Sequence, residues 1–161
     1  MKTIPITLTV NGRNMDIAVE PRHLLSDVLR EHCQLTGTHV GCEHGVCGAC
    51  TVWVDGQSAR ACLVFAVQME GHALRTIESV GEPGQLSVLQ QALHECHGLQ
   101  CGFCTPGIVM TFEAFLRDHP DPTEAEVREA LAGHLCRCTG YQNIVDAVLL
   151  AAKRIREKVQ S

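Results

Sequence analysis

Eight of the ten cysteines in this 161-residue chain fall into two groups of four, and this grouping constrains the fold most strongly. The first group has the spacing Cys-x4-Cys-x2-Cys plus one more distant cysteine, and consists of Cys42, Cys47, Cys50 and Cys62. The second group joins a Cys-x2-Cys pair to a Cys-x-Cys pair, and consists of Cys101, Cys104, Cys136 and Cys138. The remaining sequence is therefore expected to hold thiolates at two separate sites.

The spacing of the first group is typical of a plant-type [2Fe–2S] site, in which three ligands come from one tight loop. Glycines at positions 41, 45 and 48 let backbone N–H groups approach the sulfurs and stabilise the charge of a reduced cluster. A structural zinc site normally pairs two short Cys-x2–4-Cys knuckles, which this group lacks. His44 does not indicate a Rieske-type centre, because that centre replaces two cysteines with two histidines and four cysteines are already present.

The second group is less specific. Cys101 and Cys104 precede a predicted helix, and Cys136 and Cys138 lie between two predicted helices. Such pairs can converge at one end of a helical bundle, where helix N-termini favour thiolate charge. Cys-x-Cys and Cys-x2-Cys pairs occur in both zinc and iron–sulfur sites, so the spacing alone leaves both open.

Charge and composition narrow the compartment and the partners. The net charge of −5 offers no basic footprint, so a nucleic-acid partner is not expected. The sequence has no long apolar run and no recognisable secretory signal, so we expect no membrane span. Ten cysteines without such a signal favour metal ligation in a reducing, cytoplasmic compartment over a disulfide framework.

Period-two patterns dominate the first half of the chain. Residues 4–10 predict a strand, and Asn11-Gly12 predicts a turn into a second strand over about 15–19. A short amphipathic helix is expected up to about Cys33, then a hairpin over 51–61 and a last strand over 73–77.

Helical periodicity follows a linker-like stretch over 79–85. Ser87 with Gln90 predicts a capped helix through about His97. Thr105-Pro106, a hydroxyl cap followed by proline in the first turn, predicts the start of a helix to about Asp118. Thr123 with Glu126 predicts a third helix, and Asn143 is expected to cap the last. The predicted fold class is α+β, with domains over 1–78 and 86–161.

Three segments together resemble the iron–sulfur subunit of the xanthine oxidase, or molybdenum hydroxylase, family. These are the first loop through Cys50-Thr51, the segment from Gln100 to Gly107, and the segment from Leu135 to Tyr141. The likeness covers essentially the whole chain in the family's order. Segments 97–100 and 140–145 are most similar to the small subunit of carbon monoxide dehydrogenase.

The resemblance implies an N-terminal β-grasp, ferredoxin-like domain with one [2Fe–2S] cluster and a four-helix bundle domain with another. It implies that all eight cysteines named above are cluster ligands. It also implies that Gln100 and Cys138 contact the pterin of a molybdopterin cofactor held by a large catalytic subunit. The first cluster is expected to face a medium subunit that carries FAD, in a dimer of heterotrimers.

The chain is accordingly interpreted as the electron-transfer subunit of a molybdenum-dependent oxidoreductase, which does no substrate chemistry itself. One alternative is a stand-alone ferredoxin-like carrier, and another is a zinc-stapled interaction module. Cys33 and Cys96 are interpreted as free thiols on amphipathic helices. His39 and His44 flank the first site without serving as ligands, and Arg137 either offsets cluster charge or meets a partner.

Overall fold

A computed structural model describes residues 2–82 and 84–159. Pro83, inside the predicted linker, lies outside the described residues, as do the terminal positions 1, 160 and 161 of the predicted domains. The fold is α+β, with a five-stranded sheet in the first half and helices in the second. No helix in the described part is long and apolar enough to span a membrane.

The sheet is mixed, in the order β2-β1-β5-β3-β4. Its strands are β1 (Ile4–Val10), β2 (Arg13–Val19), β3 (Thr51–Val54), β4 (Gln57–Arg60) and β5 (Ala73–Arg75). Two antiparallel hairpins form it, and β5 lies between them, parallel to β1. The predicted Asn11-Gly12 turn is confirmed, since both residues have positive φ (51° and 77°), and Asp55-Gly56 repeats that conformation.

Two predicted elements end differently from expectation. The strand expected over 73–77 stops at Arg75, because the amide of Thr76 bonds to the Asn11 side chain instead of a neighbouring strand (2.9 Å). The helix expected up to Cys33 is a single α turn, α1 (Leu25–Asp27), which widens into a π-helix over Val28–His32. Its buried Leu25, Val28 and Leu29 complete the core beneath the sheet.

In the described part of the chain, the α-helices that follow the sheet are α2 (Val88–Glu95), α3 (Thr105–Asp118), α4 (Glu124–Leu131) and α5 (Gln142–Val159). They enclose a second core around Phe112 and Ile144. The capping boxes predicted at Ser87 and Thr123 are confirmed. Helix α2 ends at Glu95, two residues earlier than expected, because His97 has positive φ (53°).

Two predicted caps are wrong. Cys104, not Thr105, is the N-cap of α3, so the Thr105 hydroxyl does not cap the helix. Asn143 lies inside α5, where its side-chain amide donates to the carbonyl of His97 (3.4 Å) instead of capping its own helix.

The sheet and the helices pack together through α3, which crosses β3. Trp53 of β3 is 7% exposed, and its indole N–H donates to the carbonyl of Met110 in α3 (2.6 Å). The guanidinium groups of Arg75 and Arg117 lie 5.0 and 5.7 Å from the indole ring. Trp53 therefore joins the sheet to α3 by packing, a hydrogen bond and cation–π contacts.

Replacing Trp53 with phenylalanine is expected to destabilise the protein by about 1–3 kcal/mol, through the lost N–H bond and the lost ring volume. Denaturant unfolding measures the change. Arg117→Ala, which removes one exposed cation from the ring, is the matched control and should cost about 1 kcal/mol or less. Equal losses for the two variants would contradict the role of the indole N–H.

Candidate metal centres

The first cysteine group converges on the rim of the sheet. Cys42, Cys47 and Cys50 lie on the loop before β3, and Cys62 lies in a short 3₁₀ helix, Ala61–Leu63, directly after β4. The thiols lie close enough to shift one another's pKa: Cys47 acts on Cys42, and both Cys50 and Cys42 act on Cys62. The structure thus brings together all four predicted ligands of this group.

Backbone amides and burial act on these sulfurs in opposite directions. Amide hydrogen bonds from His44 and Cys47 lower the pKa of the Cys42 thiol to about 6, and the N–H of Cys47 lies 3.4 Å from that sulfur. Burial, together with the neighbouring Cys50, raises the pKa of Cys62 to about 11. A thiol with a raised pKa needs a compensating cation to ionise, and a bound iron supplies one.

Glycine is required at two points of this loop. Gly45 and Gly48 both have positive φ (81° and 76°). A Cβ at position 45 would lie 2.5 Å from the Leu63 side chain, and one at position 48 would lie 2.6 Å from the carbonyl oxygen of Gly133. The loop therefore closes around its sulfurs only with glycine at these positions.

The second group lines a cavity of about 140 Å³ at one end of the helices, together with Gln100, Phe103 and Arg137. Cys104 caps α3, and Cys136 and Cys138 lie in the turn before α5. Cys104 and Cys136 lie close enough to shift each other's pKa, and Cys101 is exposed. All four predicted ligands of this group thus face one cavity.

Burial also shapes the second site. Burial and, to a smaller extent, the neighbouring Cys136 raise the pKa of Cys104 to about 12. Burial alone would raise the pKa of Cys136 as well, but hydrogen bonds from Thr139 hold it below its usual value. The Tyr141 hydroxyl accepts the amide N–H of Cys136 (3.0 Å), which fixes the turn that carries this sulfur.

Gln100 lies beside the second cavity with its side chain exposed. Its amide nitrogen donates to the carbonyl of Cys138 (3.1 Å), and its amide oxygen takes no part in that bond. The two residues expected to contact a partner's cofactor are therefore in contact with each other, on an accessible surface.

Four thiols in each place match the ligand count of a [2Fe–2S] cluster, whose two irons take two protein ligands each. Among the described residues, no three histidine, cysteine, aspartate or glutamate side chains converge on a single metal-ion position. The donor set in each place is four sulfurs, which suits iron–sulfur chemistry. The residues present therefore fit one [2Fe–2S] cluster in each site.

The two sites adjoin one another. The amide of Leu135, next to Cys136, donates to the carbonyl of Cys47 (3.0 Å). Gly107 of α3 packs so closely on the first loop that a Cβ there would lie 3.0 Å from the Ala49 carbonyl oxygen. His39 stacks on Phe103 with ring centroids 4.9 Å apart and bonds to its carbonyl oxygen (2.8 Å).

Sequence reasoning missed two residues at this junction. Arg60 of β4 donates to the carbonyl of Gly133 (2.8 Å) and to the hydroxyl of Thr51. His134 is 2% exposed and bonds to Thr111 of α3, and burial, aided by the charge of Arg60, lowers its pKa to about 4. The only available signal was the position of His134, two residues before a predicted ligand.

The two remaining cysteines pack into the two cores. Cys33 is buried in the core of the sheet, where burial raises its pKa, and Cys96 packs at the end of α2 against the helical core. Neither forms a disulfide bond, and their lack of a ligand role stays a prediction.

Two family models match adjoining parts of the chain. Residues 8–75 match a 2Fe-2S iron–sulfur cluster binding domain, and residues 76–149 match a [2Fe-2S] binding domain. The chain therefore carries two [2Fe–2S] clusters, and their number equals the number of cysteine groups.

Proteins of known function are similar over nearly their full length. Caffeine dehydrogenase subunit gamma of Pseudomonas sp. (strain CBB1) is 57% identical, over 92% of this chain and 90% of that protein. The nicotine 6-hydroxylase small subunit of Paenarthrobacter nicotinovorans is 51% identical, over 96% of this chain and 93% of that protein.

A solved structure shows the same architecture. A chain of quinoline 2-oxidoreductase from Pseudomonas putida 86 superposes with a TM-score of 0.92 and 45% identity, covering 98% of each chain. With both halves matched by [2Fe–2S] models and near full-length relatives above 50% identity, this chain belongs to the family of iron–sulfur small subunits of the molybdenum hydroxylases.

Proposed function

We propose that this chain is the electron-transfer subunit of a molybdenum hydroxylase, carrying electrons from a molybdopterin site in a large subunit to FAD in a medium subunit. One cluster is held by Cys101, Cys104, Cys136 and Cys138. The other is held by Cys42, Cys47, Cys50 and Cys62. Each cluster, when bound, accepts and releases one electron at a time, so substrate chemistry stays with the partner subunit.

The contact between the two sites carries this proposal. The bond from the Leu135 amide to the Cys47 carbonyl joins the chain segments of two predicted ligands, one from each site, without an intervening side chain. A carrier that uses one cluster needs no such contact. Two clusters held by directly bonded segments form a relay, in which electrons enter at one site and leave at the other.

The surface around both sites supports stable partners over a diffusing carrier. Exposed large apolar side chains border the first site and comprise Val46, Leu63 and Phe65. A second group consists of Phe103 and Leu135, which line the second site, and of Leu86 and Leu99, which line a neighbouring groove. Apolar side chains clustered in this way mark surfaces that another protein covers. Each site therefore has its own docking surface, as a relay between two subunits requires.

The accessible pair of Gln100 and Cys138 supports the second site as the entry point. The amide oxygen of Gln100 and the sulfur of Cys138 are hydrogen-bond acceptors, and a pterin offers ring N–H donors. The large subunit consequently docks at this end, and the FAD subunit docks beside Cys42 and Leu63.

The relatives indicate the substrate class of the complex. Caffeine, nicotine and quinoline, named in the relatives and the solved structure, are all nitrogen heterocycles. We propose that the complex oxidises a compound of this class. The finer likeness to carbon monoxide dehydrogenase stays a prediction.

The finer architecture belongs to the same proposal. We propose that residues 1–78 form a β-grasp domain and that residues 86–161 form a four-helix bundle, with a linker over 79–85. The assembly is taken as a cytoplasmic dimer of heterotrimers.

Co-purification tests the proposal. The tagged chain, expressed with the proteins encoded beside its gene, should recover molybdenum, flavin and four irons per small subunit, with two distinct [2Fe–2S] signals in the EPR spectrum after reduction. The complex should reduce an artificial acceptor with nitrogen heterocycles. A monomer that carries electrons without molybdenum or flavin would instead support the stand-alone carrier, and a colourless zinc protein would refute both.

A further inference from the structure

His134 lies where the two sites meet. The residue precedes the turn that carries Cys136, and only 2% of its surface is exposed. Its Nε2 lies 2.8 Å from the hydroxyl oxygen of Thr111 in α3. The ring is therefore fixed against the helix that Cys104 caps, on the side that faces the first site.

The other ring nitrogen has no hydrogen-bond partner among the described residues. Nδ1 is fully buried and packs against Gly48, so closely that a Cβ at that position would overlap it. Leaving a buried polar atom unpaired costs about 1–3 kcal/mol. The site keeps a ring there in spite of that cost, which indicates that filling the space beside Gly48 matters more than satisfying Nδ1.

The neighbours of His134 make the contact between the sites. The carbonyl of Gly133 accepts from Arg60, and the amide of Leu135 donates to Cys47. These two bonds attach residues 133 and 135 to the sheet half of the molecule. A change in the volume of the side chain at position 134 acts on both bonds at once.

We propose that His134 is a positioning residue for electron transfer between the two clusters. Its ring keeps water out of the contact between the loop at Gly48 and the segment 133–135. The direct bond from Leu135 to Cys47 is preserved as a result. The inference rests on the proposed relay function. In this transfer one electron leaves the second site, which is oxidised, and reduces the first, with no bond made or broken.

Opening this space has two consequences. Water would compete with the Leu135 amide for the Cys47 carbonyl, which replaces a direct bond with a solvated gap and slows transfer between the sites. Water beside the first loop would also stabilise the added negative charge of the reduced cluster. The reduction potential of the first cluster is therefore expected to rise.

Two variants separate this role from simple packing or polarity. His134→Ala opens the space, whereas His134→Leu fills it without polar atoms. In the full chain loaded with both clusters, His134→Ala should favour reduction of the first cluster about tenfold, which is 59 mV for a one-electron couple. It should also slow transfer between the clusters after rapid reduction. His134→Leu should keep the native potential and rate.

Potentiometric EPR, rapid-reduction kinetics and thermal unfolding are the measurements, with exposed His119→Ala as the control expected to leave the potentials and the transfer rate unchanged. Lower unfolding temperatures in both His134 variants with native potentials and rates would reduce His134 to a structural residue and overturn the inference. Equal potential shifts in both variants would assign the effect to ring polarity and also overturn it. A wild-type chain with fewer than two clusters would refute the proposed function itself.

Discussion

Serine in place of Cys136 is expected to remove the second cluster, halve the iron content of the chain and reduce turnover of the complex to background. A serine hydroxyl stays protonated where a cysteine ionises, so it ligates iron poorly. The backbone bond from residue 136 to the Tyr141 hydroxyl does not involve the side chain, so the turn should persist. The loss is then attributable to one sulfur atom. Iron analysis, EPR of the reduced protein and acceptor assays on the complex measure it.

The same variant tests the order of the relay. Cys136 is not among the proposed ligands of the first cluster, so the EPR signal of the first cluster should remain and should still respond to a chemical reductant. Substrate, however, should no longer reduce it, because the entry site is missing. Cys96→Ser, which alters a thiol at the end of α2, is the control and should retain both clusters and turnover. Substrate-driven reduction of the first cluster in Cys136→Ser would contradict the proposed order.

The parts of the fold that follow from local chemistry could be predicted from the sequence. Asn11-Gly12 and Asp55-Gly56 adopt the turns that their positive φ angles allow, and the capping boxes at Ser87 and Thr123 form as expected. Each depends on residues no more than a few positions apart, so the pattern contains all the necessary information.

Elements that depend on distant partners were predicted less well. The last strand is short because Asn11, 65 residues away, binds the amide of Thr76. Asn143 resembled a cap, yet its amide binds a carbonyl 46 residues away. Local propensity gives no information on such partners, which exist only once the cores have packed.

The candidate sites show the same division. Cysteine spacing identified the two groups, because close ligands must come from one tight loop or turn. The junction between the groups could not be read in this way, since Arg60, Thr111 and His134 have no fixed spacing from one another. Their roles arise where β4, α3 and the turn before α5 happen to meet.

Alanine at position 48 is expected to be among the most damaging single-methyl additions in the chain, destabilising it by about 2–5 kcal/mol. About 1–2 kcal/mol comes from placing a side chain at a positive φ, here +76°. A further amount of about 1–3 kcal/mol comes from overpacking against the Gly133 carbonyl and the His134 ring. Both neighbours are backbone or buried side chain, so neither can move aside easily.

Gly71→Ala separates these two contributions. Gly71 has a φ of +83°, and none of the described residues lies within 4 Å of the added methyl, so its variant should show the backbone cost alone. The difference between the two variants then measures the clash at the junction, by denaturant unfolding of the chain loaded with iron. Gly48→Ala should also lose the first cluster, since relieving the clash moves the loop between Cys47 and Cys50. Equal destabilisation of the two variants, with both clusters retained, would show that the junction is looser than the structure indicates.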